Sequence, residues 1–480
     1  MSKTSFAERH DLWTDHQRKQ AAEISKRLKA DGLHSLRLSF ADQHGLLRGK
    51  TLMAGAAADK LGDGCALTTT LLLKDTSHRT VFPVWQSGGG LGNSLLTGAA
   101  DFILVPDPAT FQVLPWVPGT GWMLCDIYFP DGTPVPYSTR KICKDVLDDL
   151  AGQGLGFAAG LEVEFHVFHM LDEKLDPADA THPGAPPDVE LMAQGYQYLT
   201  ETRYDELEPV CELLRTNLAS MGLPLLSMEV EFGPSQLEFT FGVQDGLAAA
   251  DSMMLFRSAV KQICRREGLL ATFMCRPALE NIFSSGWHLH QSVVDVKTGK
   301  NLFAGADGAV LSEMGRHFTG GLLAHAPASS VFTTPTLNGY KRYQPHTLAP
   351  DRISWGCDNR GSMIRACGQP GDAASHIENR AGEPAANPYL YLTSQIASGM
   401  DGVRTKRDPG PPCDEPYSAQ AEKLPASLMA AVAELKNSSF YRSTLGDEFV
   451  DYLTTIKQAE CDRFLAQVTD WEQREYFQAF

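Results

Sequence analysis

The sequence predicts an α+β fold in two parts. Three observations carry this. At 480 residues the chain exceeds the size at which one hydrophobic core usually stops growing. Its first third holds several short runs in which apolar and polar residues alternate, the period of half-buried strands. The remainder mixes such runs with longer amphipathic stretches of helical period, and the tail from Leu424 to Phe480 is helical in pattern.

The elements follow in order. Residues 5–31 carry a helical rhythm that stops at Asp31-Gly32. LHSLRLSFADQHGLLRGKTL alternates as strand, turn and strand, with the turn near Asp42–Gly45. Gln86–Gly98 (QSGGGLGNSLLTG) is a Gly-rich loop that lacks the Lys-Ser/Thr ending of a P-loop. Asp101–Trp116 reads as a strand pair, and WMLCDIYFPDGTPVP as a strand and turn. A boundary near Pro134–Ser138 separates residues 1–133 from 134–480. Beyond it, TRKICKDVLDDLAGQG and Gly246–Glu267 have helical patterns, and Asp408–Pro416 is a Pro-rich loop.

Bulk composition narrows the function classes. The net charge of −16 opposes nucleic-acid binding, which runs on basic surface. The N-terminus has no apolar signal region, and no run of about 18 apolar residues predicts a membrane span. The ten cysteines are scattered without a C-x-x-C pair, which fits reduced thiols in a cytoplasm.

The chemistry lies on the polar faces of four strands. GLEVEFHVF sets Glu162, Glu164 and His166 on one face and Leu161, Val163, Phe165 and Val167 on the other. Two carboxylates on one otherwise apolar strand repel each other and need a cation or solvent. EFGPSQLEFTF aligns Gln236, Glu238 and Thr240, with Glu231 ahead of its Gly-Pro turn. GWHLHQS aligns His288, His290 and Ser292, and HIENR aligns His376, Glu378 and Arg380. Five carboxylates with several imidazoles suit hard divalent ions such as Mg²⁺ or Mn²⁺. Lys341, Arg342, Arg360 and Arg365 stand near Trp, Tyr and Pro turns, and guanidinium forks suit carboxylates and phosphates.

These segments, together with NGYKRYQPHTLAP, SWGCDNRGSMIR and ENRAGEPAANPYL, resemble the glutamine synthetase family. The resemblance runs from about Leu36 to the C-terminus. It implies an N-terminal β-grasp domain over 1–133 and a catalytic domain with a curved antiparallel sheet over 134–480. It further implies an ATP-dependent ligase acting on glutamate and an amine, in a homo-oligomer (a double-ring dodecamer) whose sites lie between subunits. Carried over by position, Glu164, Glu231 and Glu238 correspond to ligands of one metal and Glu162, His288 and Glu378 to those of a second. His290 and Ser292 fall at ATP-contacting positions. Arg360 and Arg365 correspond to arginines that hold the phosphates and the transferring phosphoryl group. Arg342 and Arg380 correspond to those gripping glutamate, and Glu164 also borders that substrate.

Four departures bear on the second substrate. The glutamate that closes over ammonium in glutamine synthetases proper is replaced by Leu348. The Asp-Gly-Ser-Ser segment is missing, with Leu67–Thr76 roughly in its place. An Asn-Gly-Ser-Gly before the His-x-His becomes Phe283-Ser284-Ser285-Gly286, and an ATP-side lysine becomes Ala373. The first three remove polar groups that would stabilise ammonium and add apolar surface. The expected product is therefore a γ-glutamylamide of a hydrophobic amine, aniline-like first and an alkylamine next. Ammonium, with Asp351 or Asp75 standing in for the lost glutamate, and a non-catalytic binding role are the alternatives. Tyr417 lies where some bacterial relatives are adenylylated, in a poorly matching loop.

Overall fold

Turn chemistry and alternation build the first sheet of the computed structural model, which describes residues 4–30, 32–306, 308–417 and 420–480. β1 (Ser35–Ala41) and β2 (Leu47–Met53) form an antiparallel hairpin. Asp42 closes its turn, accepting from the N–H groups of His44 and Leu46. Gly45 takes φ +71°, a conformation open to glycine at no steric cost. β3 (Cys65–Thr68), β4 (Asp101–Pro106), β5 (Gln112–Val113) and β6 (Thr120–Tyr128) complete a sheet of order β2-β1-β6-β4-β3, with β5 on β6. β1 runs parallel to β6, which gives the β-grasp arrangement.

Two local expectations change. β4 and β5 are not paired with each other: β4 bonds β3 and β6, and β5 bonds β6. A 3₁₀ turn at Pro108–Thr110, capped by Asp107, redirects the chain between them. The rhythm of residues 5–31 is split into helices Phe6–Arg9 and Asp15–Ala30, with Asp11 at φ +50° between them. Of the expected stop, Asp31 lies outside the described residues, and Gly32 turns with φ +68°.

The second sheet is organised around one long strand, β7 (Leu155–Asp172). Phe157, Ala159, Leu161, Val163, Phe165 and Val167 form its buried apolar side. The remaining strands are β8 (Asp188–Leu191), β9 (Leu225–Val230), β10 (Gln236–Phe241), β11 (Gln244–Asp245), β12 (Leu269–Thr272), β13 (Trp287–Asp295), β14 (Trp355–Cys357), β15 (Ile364–Cys367) and β16 (His376–Asn379). Their order is β14-β15-β16-β13-β7-β10-β9, with β8, β11 and β12 also on β7. Neighbours are antiparallel except β14 and β15. Helices Thr139–Gly152, Gly246–Arg266 and Pro388–Thr405 bury Cys143, Phe256 and Tyr389 in the same core as β7. Among the described residues no helix is long and apolar enough to cross a membrane.

Two buried polar junctions tie the first sheet to the second part. Arg140 donates to Asp126 (2.9 Å), Asp107 (2.8 Å) and Asp251 (2.8 Å). Burial disfavours its charge, but the surrounding carboxylates outweigh that and raise its pKa. At the other junction Asn387 caps helix Pro388–Thr405, its Oδ1 accepting from the N–H of Tyr389 at 3.1 Å. Its Nδ2 donates to the carbonyl of Asp42 (3.1 Å), and Arg257 bridges the carbonyls of Ala386 and Gly45, both at 2.7 Å. A Cβ on Gly45 would stand 2.8 Å from that guanidinium. Part of the ENRAGEPAANPYL string thus docks the β1–β2 turn.

Candidate active site

Strand register assembles the site. Opposite Glu162 on β7 stand His288 on β13 and Thr240 on β10. Opposite Glu164 stands Glu238, which itself faces Glu229 on β9. Opposite Glu378 on β16 stand His290 and Arg365. A slip of one residue would turn each of these side chains into the core. The alternation in the sequence therefore becomes a single polar surface.

That surface lines a cavity of about 840 Å³, within the usual range for ligand sites. Its walls include Glu162, Glu164, Glu231, Glu238, His288, Arg342, Arg360, Arg365, Arg380, Phe283 and Leu348. Glu378 is fully buried behind them, bonded by Arg380 (2.5 Å) and Arg365 (3.1 Å). His290 reaches the group through Glu162 Oε2 at 3.0 Å. Ser292 is buried further along β13, opposite Ala158, and is not among the lining residues. His166 turns inward: its ring is buried, with Nδ1 3.3 Å from Ser285 Oγ, and burial pushes its pKa down to about 3. Neither Asp75 nor Asp351 lines the cavity, and Asp75 is paired with Arg463. The hydroxyl of Tyr417 donates to the carbonyl of Ala349, and the ring lies 4.8 Å from that of His346.

Imidazoles and carboxylates interlock tightly. His288 Nδ1 lies 2.6 Å from Glu162 Oε1 and 3.5 Å from Glu378 Oε1. Its other nitrogen accepts from Arg342 at 3.1 Å. Gly286 makes that contact possible, since a Cβ there would fall 2.5 Å from Arg342 Nη2. Gln236 donates to Glu164 at 3.1 Å and accepts from the N–H of Gly233 at 2.9 Å. Burial raises Glu238 to about 11 and Glu231 to about 8, with the neighbouring carboxylates adding to the rise. Burial also works against ionised Glu378, but Arg380 and His288 outweigh it and hold its pKa down.

A family model described as "Glutamine synthetase, catalytic domain" matches residues 136–476. A γ-glutamylanilide synthase from Acinetobacter sp is 44% identical over 99% of this chain and 99% of its own length. The chain belongs to the glutamine synthetase family. A γ-glutamylethanolamide synthetase from Streptomyces coelicolor is 32% identical over 95% of each chain. The solved structure titled "Apo GmaS without ligand" superposes with a TM-score of 0.79 at 29% identity, over 94% of this chain and 99% of that one.

As a glutamine synthetase family member, the chain is an ATP-dependent carboxylate–amine ligase, and the family implies divalent metal. The donor set fits. Glu162, Glu238 and His288 offer atoms within 4.8 Å of one another, as do Glu162, His290 and Glu378. Glu164 and Glu231 line the cavity outside these two triads. Burial, with crowding by the other carboxylates, disfavours ionised Glu231 and Glu238, and a hard cation would offset that.

Sequence reasoning passed over several lining residues. Glu229 was legible: it alternates with Glu231 in SMEVEF as Glu162 does with Glu164. Tyr196 and Tyr198 had no such signal, since they sit in an irregular segment between β8 and helix Glu201–Ser220. They complete an aromatic wall. Tyr198 stacks on Phe232 at 4.3 Å between centroids, Phe232 lies 6.1 Å from Phe283, and Tyr196 meets Phe283 edge-on at 5.6 Å.

Proposed function

We infer that this chain joins the γ-carboxylate of glutamate to a hydrophobic amine, an arylamine first and an alkylamine next. The observation that carries this is the wall of Tyr196, Tyr198, Phe232 and Phe283. With Leu348 it lines the same cavity as the carboxylates and arginines. Burying an aromatic ring there contributes about 1.5–3 kcal/mol. The likeness to a γ-glutamylanilide synthase supports the same reading.

In this reading Glu162, His288 and Glu378 hold one Mg²⁺ or Mn²⁺, and Glu164, Glu231 and Glu238 hold another. When bound, such ions offset negative charge on the phosphates. Arg360 and Arg365 hold the phosphates of ATP, with His290 and Ser292 on the nucleotide side. Arg342 and Arg380 grip the carboxylates of glutamate, and Glu164 borders it. A γ-carboxylate oxygen attacks the terminal phosphorus, ADP leaves, and γ-glutamyl phosphate forms. The amine nitrogen then attacks the acyl carbon, the C–O bond to phosphate breaks, and the amine loses a proton. An arylamine is neutral near pH 7, so it needs no carboxylate to make it a nucleophile, consistent with Leu348. The second step needs water kept from the acyl phosphate, and the apolar faces of Phe232 and Phe283 disfavour water beside it.

The remaining proposals are coarser. A β-grasp domain over 1–133 precedes a catalytic domain over 134–480. A cytoplasmic double-ring dodecamer is the assembly that the family resemblance implies, and exposed Met53 and Trp85 suit burial between subunits.

The test is ATP-dependent phosphate release with glutamate and each of aniline, isopropylamine, ethanolamine, putrescine and ammonium. Aniline is expected to give the highest kcat/KM. A highest value with ammonium would contradict the proposal.

A further inference from the structure

Behind the carboxylate surface, three side chains converge that the ligase chemistry does not use as a set. His290 on β13, Cys367 on β15 and His376 on β16 place one donor atom each within 4.8 Å of the others, all half-buried. Their character differs from the oxygen-rich cavity beside them. One thiol and two imidazoles suit a borderline or soft ion, whereas carboxylates suit Mg²⁺.

Hydrogen-bond bookkeeping strengthens the case. His376 Nδ1 lies 2.7 Å from the carbonyl of Ala374, which can only accept, so that nitrogen carries the ring's proton. His290 Nε2 lies 3.0 Å from the Glu162 carboxylate, which likewise accepts. The remaining nitrogens, His290 Nδ1 and His376 Nε2, face each other at 2.8 Å. The outer contacts to Ala374 and Glu162 are those that orient metal-binding imidazoles.

We propose that His290, Cys367 and His376 form a binding site for a zinc-class divalent ion beside the hard-metal cage, with His290 bordering both through its contact with Glu162. Binding displaces the Cys367 thiol proton to solvent, and the thiolate and the two facing nitrogens become ligands. A slight separation of the rings from 2.8 Å accommodates Zn–N bonds of about 2.0–2.1 Å. Three protein ligands leave one coordination position open.

The test uses the whole chain with Mg²⁺ at saturation and Co²⁺ as a spectroscopic stand-in for Zn²⁺. A thiolate-to-Co²⁺ charge-transfer band is expected, titrating to one ion per chain and displaced by Zn²⁺. Cys367→Ser abolishes the band, and His376→Gln weakens binding at least about tenfold. In the unaltered protein, Zn²⁺ slows alkylation of Cys367 by iodoacetamide, read by mass spectrometry of its peptide. No thiolate band, a band that survives both substitutions, or alkylation of Cys367 unaffected by Zn²⁺ would overturn the proposal.

Discussion

His288 Nδ1 stands 2.6 Å from Glu162 Oε1, so a strand pairing between β7 and β13 sets an imidazole directly on a carboxylate at the heart of the cavity. Removing the carboxylate charge tests that pairing. Glu162→Gln is expected to lower kcat/KM by at least about 100-fold. It also abolishes stabilisation by Mg²⁺, worth about 2.7 kcal/mol at a hundredfold excess over Kd. A thermal-shift titration with Mg²⁺ reads this without turnover.

The aromatic wall predicts selective loss. Phe283→Ala removes the ring between Phe232 and Tyr196. The expected fall in kcat/KM for aniline is about 10- to 100-fold, from about 1.5–3 kcal/mol of lost burial. The KM for ATP stays near its starting value. An amine panel with ATP titrations checks both.

Leu348 is half exposed (49%) on the cavity wall, while its carbonyl accepts from Arg380 at 3.3 Å. Leu348→Glu places a carboxylate where the family resemblance implies one in ammonium-using members and keeps the backbone contact. Activity with ammonium is expected to rise relative to aniline by about tenfold, the equivalent of about 1.4 kcal/mol. Competition between the two amines for γ-glutamyl product measures the shift.

Stability should depend on pH through Glu383. It is buried and accepts from Thr336 N–H and Oγ1–H, each at 2.8 Å. Burial raises its pKa to about 7 against 4.5 for the ordinary group. Between those values the folded chain holds a proton that the unfolded chain has released, so stability falls as pH rises across this window. The slope from this group is at most about 1.4 kcal/mol per pH unit. Glu383→Gln removes it, and chemical denaturation at pH 5 and pH 7 compares the two proteins.

Arg140 predicts the largest loss of stability. Arg140→Met leaves Asp107, Asp126 and Asp251 buried without their shared cation. The cost is about 3–5 kcal/mol, read as a lowered denaturation midpoint.

Much of the site was legible because strands convert alternation into proximity. Glu162, Glu164, Glu238 and His288 share a surface since their spacing of two is also the period of the pleat. Resemblance was needed for Arg342, Arg360 and Arg365, which lie in irregular or short segments. His166 shows where alternation fails: it shares a strand face with Glu164, yet it turns to Ser285 behind the cavity. Tyr196 and Tyr198 were illegible because only folding brings their loop to Phe232 and Phe283. Pairing was also harder than periodicity. β4 and β5 both alternate, but the 3₁₀ turn between them sends each to a different neighbour set.

Oxygen tracing gives the most direct test of the central claim. Glutamate labelled with ¹⁸O in its γ-carboxylate is supplied with ATP, Mg²⁺ and aniline, and the phosphate released is analysed by mass spectrometry. One labelled oxygen per phosphate, with one γ-glutamylanilide formed per ATP cleaved, is the predicted result. Unlabelled phosphate would contradict passage of glutamate through its acyl phosphate.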